Sequence, residues 1–273
     1  MNTKIGILFL CAGALWAQDG GEKATVPLTD PSRPARIHAH LMAGGITVRG
    51  ANVKDVLVEA RPRGGDGERH ESHSPRAGGM KRLDLPGNAG LDVVEEDNLV
   101  NIRTSSMNRP VDLVITAPRR SSLQLKCMND GDIEVEQIDG EVDADNLNGK
   151  ITIKNVSGSV VAHSLNGAIT VSLDQIDPSK PMSFSTMNGD IDVTLPENLK
   201  ANLRMKTDNG EIYSDFEVKL DSGSQVVPTE SGRRQDGRYR LRFDRALRGT
   251  INGGGPEFQF TSFNGEIYIR KRK

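Results

Sequence analysis

The sequence predicts an all-β chain wound as a parallel β-solenoid, and three observations carry that reading. Glycine recurs every nine residues at Gly131, Gly140, Gly149, Gly158 and Gly167. Between these glycines apolar residues keep fixed places: Ile133, Val135 and Ile138, then Val142, Ala144 and Leu147, then Ile151, Ile153 and Val156, then Val160, Ala162 and Leu165. The residue before each glycine is Asp130, Asp139, Asn148, Ser157 or Asn166. A fixed short period is the mark of a coil stacked on itself.

Each nine-residue unit reads as a strand and a turn. Its first two apolar positions lie two apart, so they share one strand face, whereas a helix would need partners three and four apart. Glycine reaches positive φ cheaply, and Asn or Asp tolerates that region better than other residues. Strand, Asn-Gly, strand could also describe β-hairpins. Residues of one class at corresponding places in every unit favour parallel stacking, with two sides forming a coil of about 18–22 residues.

Along the chain the elements follow in order. Residues 1–17 carry Lys4, an apolar run over 5–15 and small residues at its end, the features of a signal peptide cleaved after Ala17 or Ala14. Residues 18–30 read as a flexible N-terminal segment, and 31–273 as one solenoid domain. The first unit places Ile37, Ala39 and Met42 before Gly44, with Ile46 and Val48 after it. Two stretches poor in apolar residues, 61–90 and 222–237, read as polar loop insertions. Met182, Phe184 and Met187 precede Gly189; Leu203 and Met205 precede Gly210; Phe258, Phe260 and Phe263 precede Gly265. The expected turn residues are thus Gly44, Gly131, Gly140, Gly149, Gly158, Gly167, Gly189, Gly210 and Gly265. The expected core includes Ile133, Val135, Ile151, Ile153, Ile169, Val171, Ile191, Val193 and Ile267. Ten to twelve coils, at roughly 4.8 Å each, would make a rod of roughly 50–60 Å.

Composition narrows the function classes. Net charge is −2 with 26% charged residues of both signs, so no basic face points to nucleic acid. No transmembrane span is expected in the mature chain. Of the two cysteines, Cys11 lies in the signal, where Leu10 stands in place of the small residue a lipidation site needs. Cys127 is then a lone thiol, with no His or Asp beside it in sequence to make it a nucleophile. From the signal to Phe184 there is no aromatic residue, which suits a narrow interior filled by Val, Ile, Leu and Ala.

The Asn-Gly-x-Ile-x-Val/Ile segments at 148–153, 166–171 and 188–193, with the ending Gly249-Thr250-Ile251-Asn252 … Asn264-Gly265, resemble the bacterial β-strand-repeat adhesin-like domains. These include the head-domain type named for a Gly-Ile-Asn signature and related domains of unknown function. The resemblance covers most of 37–269 and departs at the signature, where Thr250 separates Gly249 from Ile251. It implies a right-handed parallel β-solenoid exported to the envelope, and it brings no catalytic residues.

Candidate chemistry is sparse. Asp132 with Glu134, and Asp190 with Asp192, are carboxylate pairs on outward strand positions, the residue types a glycoside hydrolase uses. The stacked positions mix charge, hydroxyl, methyl and ring, as an exposed strand face does. Calcium-binding nonapeptides need more glycines and a fixed Asp. His38 and His40 share a strand face but lack a third zinc ligand; His70 and His73 fall in the first polar insertion, and His163 is remote. No catalytic, cofactor or metal residue is expected. The sequence reads as an exported, non-enzymatic surface-contact scaffold of the periplasm, outer surface or medium, touching a surface glycan, matrix or envelope protein. The alternative is a glycan-binding or stress-sensing envelope module; a carbohydrate-active enzyme stands third.

Overall fold

The computed structural model describes residues 21–63, 90–104, 110–221, 227–233, 239–244 and 246–273. The signal segment with Cys11, and the pair His70 and His73, lie outside them. Every regular element among the described residues is a strand. Twenty strands join one hydrogen-bonded system and two more form a separate hairpin.

The alternation read from the sequence sets up the two walls. Ala35–Ala43 and Val111–Pro118 bury every second side chain, and the strands stack in register with like on like. Ile133 pairs with Ile151, Ile151 with Ile169, and Ile169 with Ile191. These four isoleucines are fully buried, and Val135, Ile153, Val171, Val193 and Ile267 are at most 1% exposed. The inward residues of both walls form one hydrophobic cluster. Burial of aliphatic surface is the main term that holds such a coil.

Pairing defines the walls. In the first, Leu99–Thr104, Ala35–Ala43, Ser121–Asn129, Asp139–Asn148, the second half of Ile151–Asn166, Met182–Asn188, Glu257–Asn264 and Ala201–Asn209 follow one another in parallel. In the second, the order is Val111–Pro118, Ile46–Ala51, Ile133–Glu136, the first half of Ile151–Asn166, Ile169–Ile176, Ile191–Leu195, Ile267–Lys271 and Ile212–Ser214. The described residues therefore make eight parallel coils rather than ten to twelve. Val56–Pro62, Leu91–Glu96 and Leu247–Ile251 pair antiparallel instead of adding coils.

Two coils stand out of sequence order. The first, 35–51, is sandwiched between the coil of 99–118 and that of 121–136. The last, 257–271, is sandwiched between the coil of 182–195 and that of 201–214. Both termini of the domain are thus paired on two sides.

Not all pairing is parallel, and the exceptions sit at the ends of the rod. Leu91–Glu96 folds back antiparallel on Leu99–Thr104 through Asp97 and Asn98, both at positive φ, the signature of a two-residue hairpin turn. Val56–Pro62 covers Val111–Pro118, and Glu22–Val26 covers it in turn. At the other end Leu247–Ile251 covers Ala201–Asn209. Open strand edges invite pairing with other chains, and these caps cover both walls at the first end and the first wall at the other. Glu22–Val26 falls within the segment read from sequence as flexible, yet it is a strand. Likewise the insertion at 222–237 is not all loop, since Val227–Arg233 pairs with Tyr239–Asp244.

Candidate contact surface

At the corner from the first wall to the second, three ladders run along the rod. Asn148, Asn166, Asn188, Asn264 and Asn209 each donate a side-chain amide to the asparagine of a neighbouring coil, at 2.7–3.2 Å, and Asn129 ends the row as an acceptor. Asparagine is there because its side chain both donates and accepts, so one residue type can continue the row indefinitely. This aligns Asn129 with Asn148, and leaves Asp130 as an extra residue at positive φ.

The second ladder is buried except at its last rung, the half-buried Thr207. Cys127, Asn146, Ser164, Thr186, Ser262 and Thr207 each donate to the carbonyl of a corner glycine on a neighbouring coil: Gly44, Gly131, Gly149, Gly167, Gly189 and Gly265. The nine-residue pattern counts Leu147 and Leu165 among its apolar positions, yet strand alternation continues up to this corner, so Asn146 and Ser164 point in and the leucines point out. At the opposite corner Gln137 and Asn155 take positive φ and reset the alternation, which is why Ile138 and Val156 are buried. One rule could not fit both corners.

The third ladder is the glycines. A Cβ on Gly131, Gly149, Gly167, Gly189, Gly265 or Gly210 would come closer than 3.0 Å to the carbonyl of the glycine one coil away. Gly140 and Gly158 are crowded in the same way at the opposite corner, by Ser121 and Gly140. Close backbone approach therefore requires glycine at each of these places, and a φ of +140° to +154° adds to it at Gly149, Gly158, Gly189 and Gly265.

Those ladders hold a row of outward side chains on six consecutive coils: Met42, Met128, Leu147, Leu165, Met187 and Phe263. All but the half-buried Leu165 are 37–46% exposed. Single exposed apolar residues are ordinary, but these six stand next to one another along the wall.

The carboxylates weighed as catalysts lie around the same corner. Asp132 Oδ1 accepts the Lys150 amide and Asp190 Oδ1 the Glu266 amide, each at 2.8 Å, so both tie coil to coil. Asp192 is ion-paired with Arg270. Glu134 and Asp132 line a polar cleft of about 610 Å³, in which Arg63 is held by Asp112 and by the carbonyl of Asp130. The Asp112 contact raises the Arg63 pKa further.

At the far end of the second wall Tyr213 and Tyr268 stack with centroids 5.3 Å apart, and the Arg270 guanidinium lies 5.0 Å from the Tyr268 ring. Tyr268 donates to Glu266, which pushes its pKa up to about 12. The register pairs Tyr213 with Tyr268 and Tyr268 with Asp192, because the coil of 257–271 lies between the other two.

Cys127 is buried, and burial pushes its thiol up to about 11. Its Sγ lies 2.8 Å from the Gly44 carbonyl. Among the described residues no group of three or more His, Cys, Asp and Glu is placed to hold a metal ion.

Against known proteins, the family described as Toastrack DUF4097 matches residues 95–246. A candidate cell-adhesion protein of Clostridium sporogenes aligns at 9% identity and TM-score 0.47, covering 92% of this chain and all of that one. A candidate adhesin of Bacteroides fragilis aligns at 10% identity and TM-score 0.31, covering 92% and 97%. No curated protein matches.

Proposed function

We infer that this chain, which belongs to the Toastrack DUF4097 family, is an exported, adhesin-like scaffold that works by surface contact rather than by turnover. The observation that carries the reading is the apolar row from Met42 to Phe263, held on six coils by hydrogen-bonded ladders. A rod built this way presents side chains at fixed spacing, so binding need not order the backbone that carries them. The partner is an envelope or matrix protein, or a surface glycan. The signal-like start at 1–17 supports export, and the resemblance of the repeat supports a right-handed winding.

A second reading, a glycan-binding module, is favoured by one observation: the Tyr213–Tyr268 stack beside Arg270, Glu211 and Glu266. Rings flanked by hydrogen-bonding groups are common partners for sugars.

The test is retention of the purified mature chain on isolated envelopes, on immobilised matrix proteins and on glycan arrays, with and without calcium. Surface contact expects retention on envelopes or matrix that Leu147→Ser combined with Met187→Ser abolishes. Binding to a defined glycan, lost on Tyr213→Ala, favours the second reading. Polysaccharide turnover abolished by Asp190→Ala or Asp192→Ala would overturn both.

A further inference from the structure

We propose that a depression on the outer face of the first wall binds a phosphoryl-type oxyanion. It lies across three adjacent strands, Leu99–Thr104, Ala35–Ala43 and Ser121–Asn129. Their register sets Arg103, His40 and Lys126 side by side in one row, and Asn101, His38 and Gln124 in the next. These six side chains line a depression of about 160 Å³. Rows on neighbouring strands stand about 4.8 Å apart, close enough for one oxyanion to touch several of them.

The chemistry of the lining is one-sided. All six side chains can donate a hydrogen bond, and no carboxylate is among them. Among the described residues none is bonded to the Arg103 or Lys126 side chain, which leaves both cations available. Arg36 stands two residues before His38 on the same strand, exposed, with its guanidinium on a backbone carbonyl of Asp97 rather than on a carboxylate. A planar guanidinium fork, a compact ammonium and two imidazoles converging from three strands suit a tetrahedral oxyanion, which offers oxygens in several directions.

Acidic residues bound the site on both sides. Asp92 is the cross-strand partner of Arg103, while Asp143 and Asp145 are the partners of Gln124 and Lys126. The positive surface is therefore three strands wide, which fits one anionic group and not a polyanion running along the rod. Met42 and Met128 follow His40 and Lys126 along the same strands and are exposed. A phosphate carried by a lipid headgroup would find apolar surface beside it; free phosphate would not need it.

The proposal deepens the contact reading and rests on it in taking the outer face of the first wall as the contact face. The tests are separable, because this one leaves Leu147 and Met187 untouched. Inorganic phosphate is titrated into the isotope-labelled mature chain at constant ionic strength and followed by NMR. The expected result is saturable shifts confined to residues 36–40, 101–103 and 124–126. Arg103→Gln with Lys126→Gln should weaken the apparent affinity by about tenfold or more, the loss of two charge-assisted hydrogen bonds. Arg49→Gln with Lys154→Gln, on the other wall, should leave it unchanged. Cosedimentation with phosphatidylglycerol and phosphatidylcholine vesicles separates the sources. Retention by the anionic vesicles alone, lost in the Arg103/Lys126 variant, assigns a lipid headgroup, whereas phosphate shifts without vesicle binding assign a free phosphate or phosphate ester. The proposal is overturned if neither probe binds, or if the folded double variant responds as the parent does.

Discussion

Gly167 lies directly against the backbone carbonyl of Gly149, its counterpart one coil away, and a Cβ on Gly167 would come within 3.0 Å of that oxygen. Gly167 is not at positive φ, so turn conformation does not explain it. The same Gly149 carbonyl accepts the Ser164 hydroxyl at 3.2 Å, and the Gly167 amide donates to Asn188 at 2.9 Å. Glycine is what lets successive corners approach closely enough for both bonds to form.

Gly167→Ala should therefore be costly, about 2–3 kcal/mol, because the obstacle is backbone rather than a side chain that can turn away. Gly253 is a useful contrast: it sits at positive φ with nothing near its would-be Cβ. Gly253→Ala should cost only the left-handed strain, about 1 kcal/mol. Denaturant midpoints compare the two, and an equal loss would remove close approach as the cause.

Asn146 is the weak rung of the buried ladder. Its amide donates to Gly131 at 2.9 Å, but its Oδ1 is buried without a partner, unlike the hydroxyls of Ser164 and Thr186 at the same place. Asn146→Thr keeps a donor and removes the orphaned acceptor, so it should be neutral or stabilise by about 1 kcal/mol. Asn146→Leu strips the donor and should destabilise by about 1–3 kcal/mol. A Leu variant as stable as the Thr variant would show that the rung does not matter.

Cys127 fills the same ladder with a thiol. Cys127→Ser should fold with a melting temperature close to the parent's, since serine already serves at Ser164 and Ser262. With the pKa pushed up to about 11 by burial, the native thiol should resist alkylation at pH 8 until the chain is unfolded. Rapid labelling of the folded chain would place Cys127 at the surface instead.

Acid should weaken the fold at the end capped by Leu91–Glu96. The Thr29 and Asn98 backbone amides hold Glu95 below its usual 4.5, and bonds to Ser32 hold Asp30 below 3.8. The Arg33 guanidinium does the same for Asp97. A carboxylate lowered by folding contributes stability above its unfolded value, and that contribution is lost as pH falls through the folded one. Thermal melts should fall off below about pH 4.5, and Glu95→Gln should flatten that fall. A melting temperature unchanged between pH 5 and 3 would contradict it.

The repeat made the walls readable because strand alternation is a local rule. Ile133, Ile151 and Ile169 follow it from sequence spacing alone, and their register needs no long-range information. The corners were harder. Positive φ at Gln137 and Asn155 shifts the alternation by one, while no such residue precedes Asn148 in its strand, so Leu147 and Val156 occupy like places in the nine-residue pattern and opposite sides of the wall. Coil order was harder still, since the sandwiching of 257–271 rests on pairing across more than fifty residues. The row from Met42 to Phe263, and the meeting of Arg103 with His40 and Lys126, both depend on that order. Neither leaves a trace in local spacing.

The last prediction tests the corner rule itself. Ile151 and Leu147 are both aliphatic members of one repeat, four residues apart, yet Ile151 is fully buried and Leu147 is 37% exposed. An aspartate at Ile151 would carry an unpaired charge into the stacked interior, so Ile151→Asp should lose about 4 kcal/mol or more and leave little folded chain. Leu147→Asp puts the charge in water beside Met128 and Leu165, and should change stability by only about 0.5 kcal/mol. It should nevertheless interrupt the apolar row and weaken retention on envelopes or matrix. Circular dichroism melts read the first difference and the retention assay the second. If Leu147→Asp unfolds the chain as Ile151→Asp does, Leu147 belongs to the core and the outward row loses its centre.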